Sequence, residues 1–409
     1  MTIESAILIA GVLLLLGVLA SRVSSALGVP SLLLFLALGM LAGSEGIGSI
    51  QLDSFDLVQR VGTLALLVIL FAGGLDTRWA EVKPVLAPGL LLSTLGVLIT
   101  TALLGTFAWF ALGTYTDFDL GTAGLTWLEA FLLAAIVSST DAAAVFSVFR
   151  TSDVRPVPRI RSLLELESGS NDPMAVLLTT LILGVMATGD DVTPRQVTVT
   201  LLMQFLGGGV IGALIGWAAA WVVNRLRPAS GGLIPVIVLA WGFIAFGVTD
   251  ALGGNSYLAV YLAGMVLGNR LGPGRKAAIE FHHGLSWLME IGIFVMLGLL
   301  VFPSELGSVA AVGVAMALFL MLVARPVSVF LCLLPFAYRP REKLYVSWVG
   351  LRGSVPIILA TFPATYGVEG ANQIFNLVFF IVLVSVLVQG MSLVPVARRL
   401  GVTVSHSSS

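Results

Sequence analysis

Apolar runs long enough to cross the roughly 30 Å hydrocarbon layer of a bilayer recur along the whole chain, near 5–21, 28–43, 57–75, 85–112, 125–149, 163–187, 197–223, 233–249, 255–269, 280–302, 307–335, 343–364 and 371–396. Water is absent where such runs sit, so backbone amides and carbonyls must bond within each segment, and helices are the expected outcome. The fold class predicted is an all-α polytopic membrane protein with 13 transmembrane helices. With 58% hydrophobic and 11% charged residues, no soluble domain is visible. The opening stretch lacks a basic leader and an A-x-A site, and reads as the first helix, not as a signal peptide. A single cysteine, Cys332, leaves no disulfide framework, and no Cys/His spacing suits a structural metal. A net charge of -1 argues against nucleic acid as a partner.

Charge alternates between successive connections. Of 21 Lys and Arg, 17 fall in every second loop, among them Arg22, Arg78, Lys83, Arg155, Arg159, Arg161, Arg227, Arg270, Arg339 and Arg398. The loops between carry acids, including Glu45, Asp53, Asp117, Asp119, Asp190, Asp191 and Glu305. Basic loops stay in the cytoplasm. The N-terminus is therefore expected outside, with a short cytoplasmic tail at 397–409.

Thirteen spans divide into six, a linker and six, and an offset of seven puts the two sixes in opposite orientation. That is an inverted repeat, with a first half over about 1–190, a linker helix over about 197–223 and a second half over about 233–396. The fifth span is interrupted by Ser138-Ser139-Thr140-Asp141 and its counterpart, the twelfth, by Gly350-Leu351-Arg352-Gly353-Ser354-Val355-Pro356. The prediction is a pair of broken helices, 5 and 12, crossing near the midplane, where unwound carbonyls are free to meet a cation.

Two carboxylates lie inside apolar runs: Asp141 at the first interruption, and Asp172 in Ser168-Gly169-Ser170-Asn171-Asp172-Pro173. A charge in the bilayer interior costs several kcal/mol and marks an ion or proton path. A dehydrated monovalent cation needs several oxygens and little net negative charge. Asp141, the Thr140 carbonyl, Ser168, Asn171 and Asp172 supply that set, and Ser168 and Asp172 share one helix face at i and i+4. Pro173 removes the amide that would bond the carbonyl of Gly169. Desolvation disfavours the charged form of a carboxyl, whereas a bound cation favours it. Proton and cation thus compete, which is the requirement for an antiporter. A sodium-coupled symporter of an organic anion on a related broken-helix fold is the alternative. An intramembrane aspartyl hydrolase lacks its Tyr-Asp and Gly-x-Gly-Asp signatures here, and a channel lacks a filter sequence. No enzyme activity and no cofactor are expected.

Thr140-Asp141, Glu167-Ser168-Gly169-Ser170-Asn171-Asp172 and Gly350-Leu351-Arg352-Gly353 together resemble the motifs of monovalent cation/proton antiporters of the NhaP type. Phe336-Ala337-Tyr338-Arg339-Pro340-Arg341-Glu342-Lys343 and the Val346-Ser347-Trp348-Val349 that follow resemble the bacterial CvrA potassium/proton branch. The resemblance implies that Asp172 carries cation and proton, that Thr140, Asp141 and Ser168 complete the cation site, and that Glu167 and Arg352 form a structural ion pair. Arg352, charged in lipid, needs such a partner in any case. Asn171 stands where electrogenic relatives have a second aspartate, implying one cation per proton. K⁺ is favoured over Na⁺, in a homodimer of the bacterial inner membrane. Ala72, in Phe71-Ala72-Gly73-Gly74, replaces an acid that many members carry. The branch also continues into cytoplasmic regulatory domains, whereas this sequence runs to Ser409, so its Ser405-His406-Ser407-Ser408-Ser409 end is expected to mark a truncation.

Other polar residues have plainer readings. His282 and His283 fit a solvated helix start, and Glu290 and Arg325 a structural pair. Gly207, Gly208, Gly209, Gly212 and Gly216 fit close helix packing, not a phosphate loop. Trp109, Trp127, Trp217 and Trp221 fit interfacial anchors.

Overall fold

The computed structural model describes residues 2–27, 30–115, 125–150, 152, 154–188, 193–226, 232–272 and 274–405. It is helical almost throughout: α1 (Ile3–Leu27), α2 (Ser31–Ala42), α3 (Phe55–Asp76), α4 (Trp79–Leu112), α5 (Trp127–Ile136), α6 (Ala142–Arg150), α7 (Pro158–Thr188), α8 (Pro194–Leu226), α9 (Leu233–Ala251), α10 (Ser256–Arg270), α11 (Arg275–Leu300), α12 (Pro303–Cys332), α13 (Pro340–Trp348), α14 (Ser354–Thr365) and α15 (Ala371–Leu400). Among the described residues, nine of these helices are each long and apolar enough to cross a membrane as a single unbroken segment. The four other apolar runs form the short helices α2 and α10 and the two broken pairs α5/α6 and α13/α14. Breaking an apolar run at its middle leaves two pieces, each too short to span by itself. The loop acids Asp117, Asp119, Asp190 and Asp191, the loop base Arg227 and residues 406–409 lie outside the described residues.

Side-chain caps fix where several helices begin. Ser54 accepts from Leu57 N at 3.2 Å, and Thr126 and Glu129 form a reciprocal capping box at the start of α5. Between helices, small residues let backbones touch. A Cβ on Gly216 of α8 would lie 2.6 Å from the carbonyl oxygen of Ala263 in α10, and Gly212 abuts Ala259 one turn earlier. The glycines of α8 therefore serve packing, as the sequence suggests. On its other side α10 packs against α3, where a Cβ on Gly264 would meet Phe71 O at 2.6 Å. Trp109 and Trp127 stack with centroids 4.0 Å apart.

Some of the irregular backbone recurs seven apolar runs apart. One π turn interrupts α4 at Leu92–Gly96 and another interrupts α12 at Leu320–Ala324. The helices that carry them are the fourth and eleventh apolar runs, partners under the seven-run offset. The breaks that follow α5 and α13 are partners under the same offset. One element has no precedent in the hydropathy pattern: β1 (Val154–Pro156) pairs antiparallel with β2 (Thr403–Ser405), Val154 opposite Ser405. Within the stretch expected as a short tail from 397, the described residues form first the last turn of α15 and then this strand.

Candidate functional site

The two breaks meet. Residues 137–141, between α5 and α6, lie against 349–353, between α13 and α14, with Asp141 N donating to Leu351 O at 2.8 Å. The last carbonyls of α5 have no partner within their own helix. Just beyond them, in the break itself, Arg352 donates to Ser138 O at 2.6 Å and also to Ser139 O. A cation at a helix C-terminus further offsets the negative end of the dipole. Close approach depends on Gly353, because a Cβ there would collide with Asp141 Oδ2. Asp141 is half-buried and caps α6, its Oδ1 accepting from Ala144 N at 3.0 Å.

The expected pairing of Glu167 with Arg352 is not what forms. Glu167 Oε1 meets Arg325 Nη1 at 2.5 Å, with side chains 1% and 4% exposed. Arg325 follows directly on the π turn of α12, whose extra residue shifts the face on which the next side chains lie. It therefore reaches Glu167 on α7. Arg352 is left to the carbonyls of Ser138 and Ser139.

α7 brings the remaining polar groups to the crossing. Ser168 Oγ donates to Thr140 O at 2.7 Å and accepts from Ala142 N at 2.9 Å. Asn171 Nδ2 donates to Thr140 Oγ1 at 2.6 Å, while its Oδ1 accepts from Thr140 N at 3.4 Å. Asn171 is thus committed to holding Thr140 in place. Asp172, 9% exposed, lies in electrostatic reach of Asp141 and Arg352. Ser139 Oγ approaches it without completing a hydrogen bond of good geometry. Thr140, Asp141, Ser168, Asn171 and Asp172 are all brought together. Each carbonyl and carboxylate oxygen here has lone pairs beyond those already used. Such a group of oxygens can hold a dehydrated monovalent cation, and its carboxyls can hold a proton.

Several supports are not evident in the motifs. Asn255 Nδ2 donates to Pro173 O at 2.8 Å, and its Oδ1 caps α10 through Leu258 N at 3.0 Å. Tyr261 packs against Gly169, where a Cβ would sit 2.5 Å from the ring, and its hydroxyl is 3.4 Å from Thr77 Oγ1. On the far side, Ser385 Oγ accepts from Arg352 N at 3.2 Å and donates to Gln389 Oε1 at 2.6 Å. Gln389 in turn donates to Trp348 O at 2.8 Å. A polar residue inside an apolar run, as at Asn255, Ser385 and Gln389, is the one signal that could have flagged them. Ala72 is buried on α3, the helix whose Gly74 backs onto the backbone of Tyr261. His282 does not sit at a solvated helix start: it is fully buried, with Nδ1 2.7 Å from Ala278 O and its ring against Phe71. Only His283 is exposed there, 3.8 Å from Asp76.

Comparison with known proteins gives a consistent result. The sodium/hydrogen exchanger transmembrane family matches residues 11–399. The K(+)/H(+) antiporter NhaP2 of Shewanella baltica (strain OS223) is 43% identical over 400 residues, covering 97% of this chain and 67% of that relative. The Na(+)/H(+) antiporter 1 of Methanocaldococcus jannaschii is 30% identical over 373 residues, covering 88% of this chain and 82% of that one. The solved sodium proton antiporter MjNhaP1 from the same archaeon superposes with a TM-score of 0.83 at 26% identity, over 98% of this chain and 99% of the other.

Proposed function

The chain belongs to the sodium/hydrogen exchanger family, and from that premise we propose that it exchanges a monovalent cation for H⁺ by alternating access, with both ions competing for Asp172. The observation that carries this reading is the crossing of two broken helices directly beside Asp172, with Thr140, Asp141 and Ser168 arranged around it. Thr140 O, Ser168 Oγ, Asp141 and Asp172 form the cation site, and Asn171 positions Thr140. Proton binding neutralises the carboxylate that attracts the cation, and cation binding favours loss of the proton. Asn171 cannot titrate, so one charge moves in each direction and the cycle is electroneutral. K⁺ is the favoured cation, supported by the K(+)/H(+) antiporter names of the relatives at 42–43% identity against 30% for the sodium antiporter. The chain crosses the bacterial inner membrane thirteen times, with α2, α10 and the two broken pairs completing the nine long spans, and its basic loops face the cytoplasm.

Purified protein in proteoliposomes, given an imposed pH gradient and then Li⁺, Na⁺, K⁺ or Rb⁺ in turn, tests the proposal. Cation-driven collapse of the gradient, strongest with K⁺ and lost in Asp172→Asn, is expected without any organic solute. Collapse that requires an organic anion would establish the symporter instead.

A further inference from the structure

At the basic end of the helices, away from the crossing, a cavity of ≈750 Å³ opens between the start of α4, the first turn of α7 and the β1–β2 pair. Its charged lining consists of Arg155, Arg159, Arg161 and Glu81, with Pro84 and Val404 among its apolar walls. Among the described lining residues, three guanidinium groups against one carboxylate leave a surplus of two positive charges, and Glu81 is itself drawn toward Arg78 at 3.5 Å. Glu165, in reach of Arg161, does not line the cavity.

The retention of basic loops in the cytoplasm accounts for arginines at this end of the molecule. It does not account for three of them converging on one concavity, since like charges brought together repel. Two of these arginines are held by neighbours. Arg159 donates to Ala337 O at 2.9 Å and lies 3.9 Å from the centroid of the Tyr338 ring, while Arg161 lies 5.6 Å from that of Phe146. Guanidinium groups held in place in this way lose little freedom when they bind a ligand. Their forked donors match phosphate oxygens in pairs, and the volume falls in the range of sites for small organic ligands.

We propose that this cavity binds a phosphate-bearing anion, either a soluble phosphorylated compound or the headgroup of an anionic lipid, through Arg155, Arg159 and Arg161. The ligand would touch three parts of the molecule at once. Val404 lies on β2, Arg155 on β1, and Arg161 on α7, eleven residues and so about 16 Å along the same helix from Asp172. An anion here therefore ties the C-terminal strand to the base of the helix that carries the cation site. Binding is independent of the exchange activity and is tested without it.

The full chain in phosphatidylcholine nanodiscs is titrated with inorganic pyrophosphate at fixed ionic strength by calorimetry. In parallel, protein in nanodiscs containing phosphatidylglycerol is examined for retained lipid by native mass spectrometry. Saturable pyrophosphate binding identifies a soluble ligand, whereas retained phosphatidylglycerol with no pyrophosphate binding identifies a headgroup. In either case the double substitution Arg155→Gln with Arg161→Gln weakens binding roughly tenfold or more, the worth of one charge-assisted hydrogen bond. Glu81→Gln, which removes the only acid among the described lining residues, tightens it. Absence of both ligands, or binding indifferent to the arginines, overturns the proposal. If the double variant does not fold, unchanged or weakened binding by Glu81→Gln overturns it equally.

Discussion

Asp172→Asn keeps the size of the side chain and removes its charge. It is expected to abolish exchange while leaving a folded protein, because a buried charge without a bonded partner contributes nothing favourable to stability. Transport and thermal melting of the same preparation check both halves of that expectation. Glu167 and Arg325 should behave in the opposite way. Removing either alone leaves a buried ion unpaired and should cost about 3–5 kcal/mol, while the double replacement Glu167→Gln with Arg325→Met should recover much of the loss. The same cycle between Glu167 and Arg352 should show a smaller coupling, and a larger one would restore the pairing expected from the motifs. The polar residues that gather at the crossing were legible in the sequence, since Asp141 and Asp172 are carboxylates stranded in apolar runs. Their partners were not. Which arginine reaches Glu167 depends on the local winding of α12, and no spacing rule reveals a π turn.

The two broken helices depend on a backbone crossing with no room for another atom. Gly353→Ala would place a methyl group against Asp141 Oδ2, forcing the breaks apart and dislodging the cap of α6. Exchange should fall to a small residue, with a destabilisation of about 1–3 kcal/mol of the kind seen when a core is overpacked. Denaturation of purified Gly353→Ala checks the second figure, and near-normal transport would show that the crossing tolerates displacement. The breaks themselves were predictable, because Ser138-Ser139-Thr140-Asp141 and Gly350-Leu351-Arg352-Gly353 place polar and flexible residues where a continuous span needs apolar ones. The span count was less so. A hydropathy run records that a segment is apolar, not how long its helix is, and so α2 and α10 read as spans although neither helix is long enough to cross unaided. The β1–β2 pair lay beyond sequence reading because its strands are three residues each and about 250 residues apart.

At the scale of the whole molecule, the account requires that one site, reached alternately from each side, serves both ions. The proposed electroneutral cycle rests on Asn171, which cannot titrate, standing beside Asp172. With the membrane potential clamped by an ionophore that does not carry the transported cation, the rate should barely change, although one net charge moved through 100 mV would be worth about 2.3 kcal/mol. A steep voltage dependence would show unequal exchange. The measurement closest to the central claim is the cation dependence of exchange at a series of proton concentrations. If Asp172 holds either ion but never both, raising proton concentration should raise the apparent KM for the cation while the rate at saturating cation stays constant. A fall in the maximal rate with unchanged cation KM would mean separate sites for proton and cation, and would contradict the shared carrier.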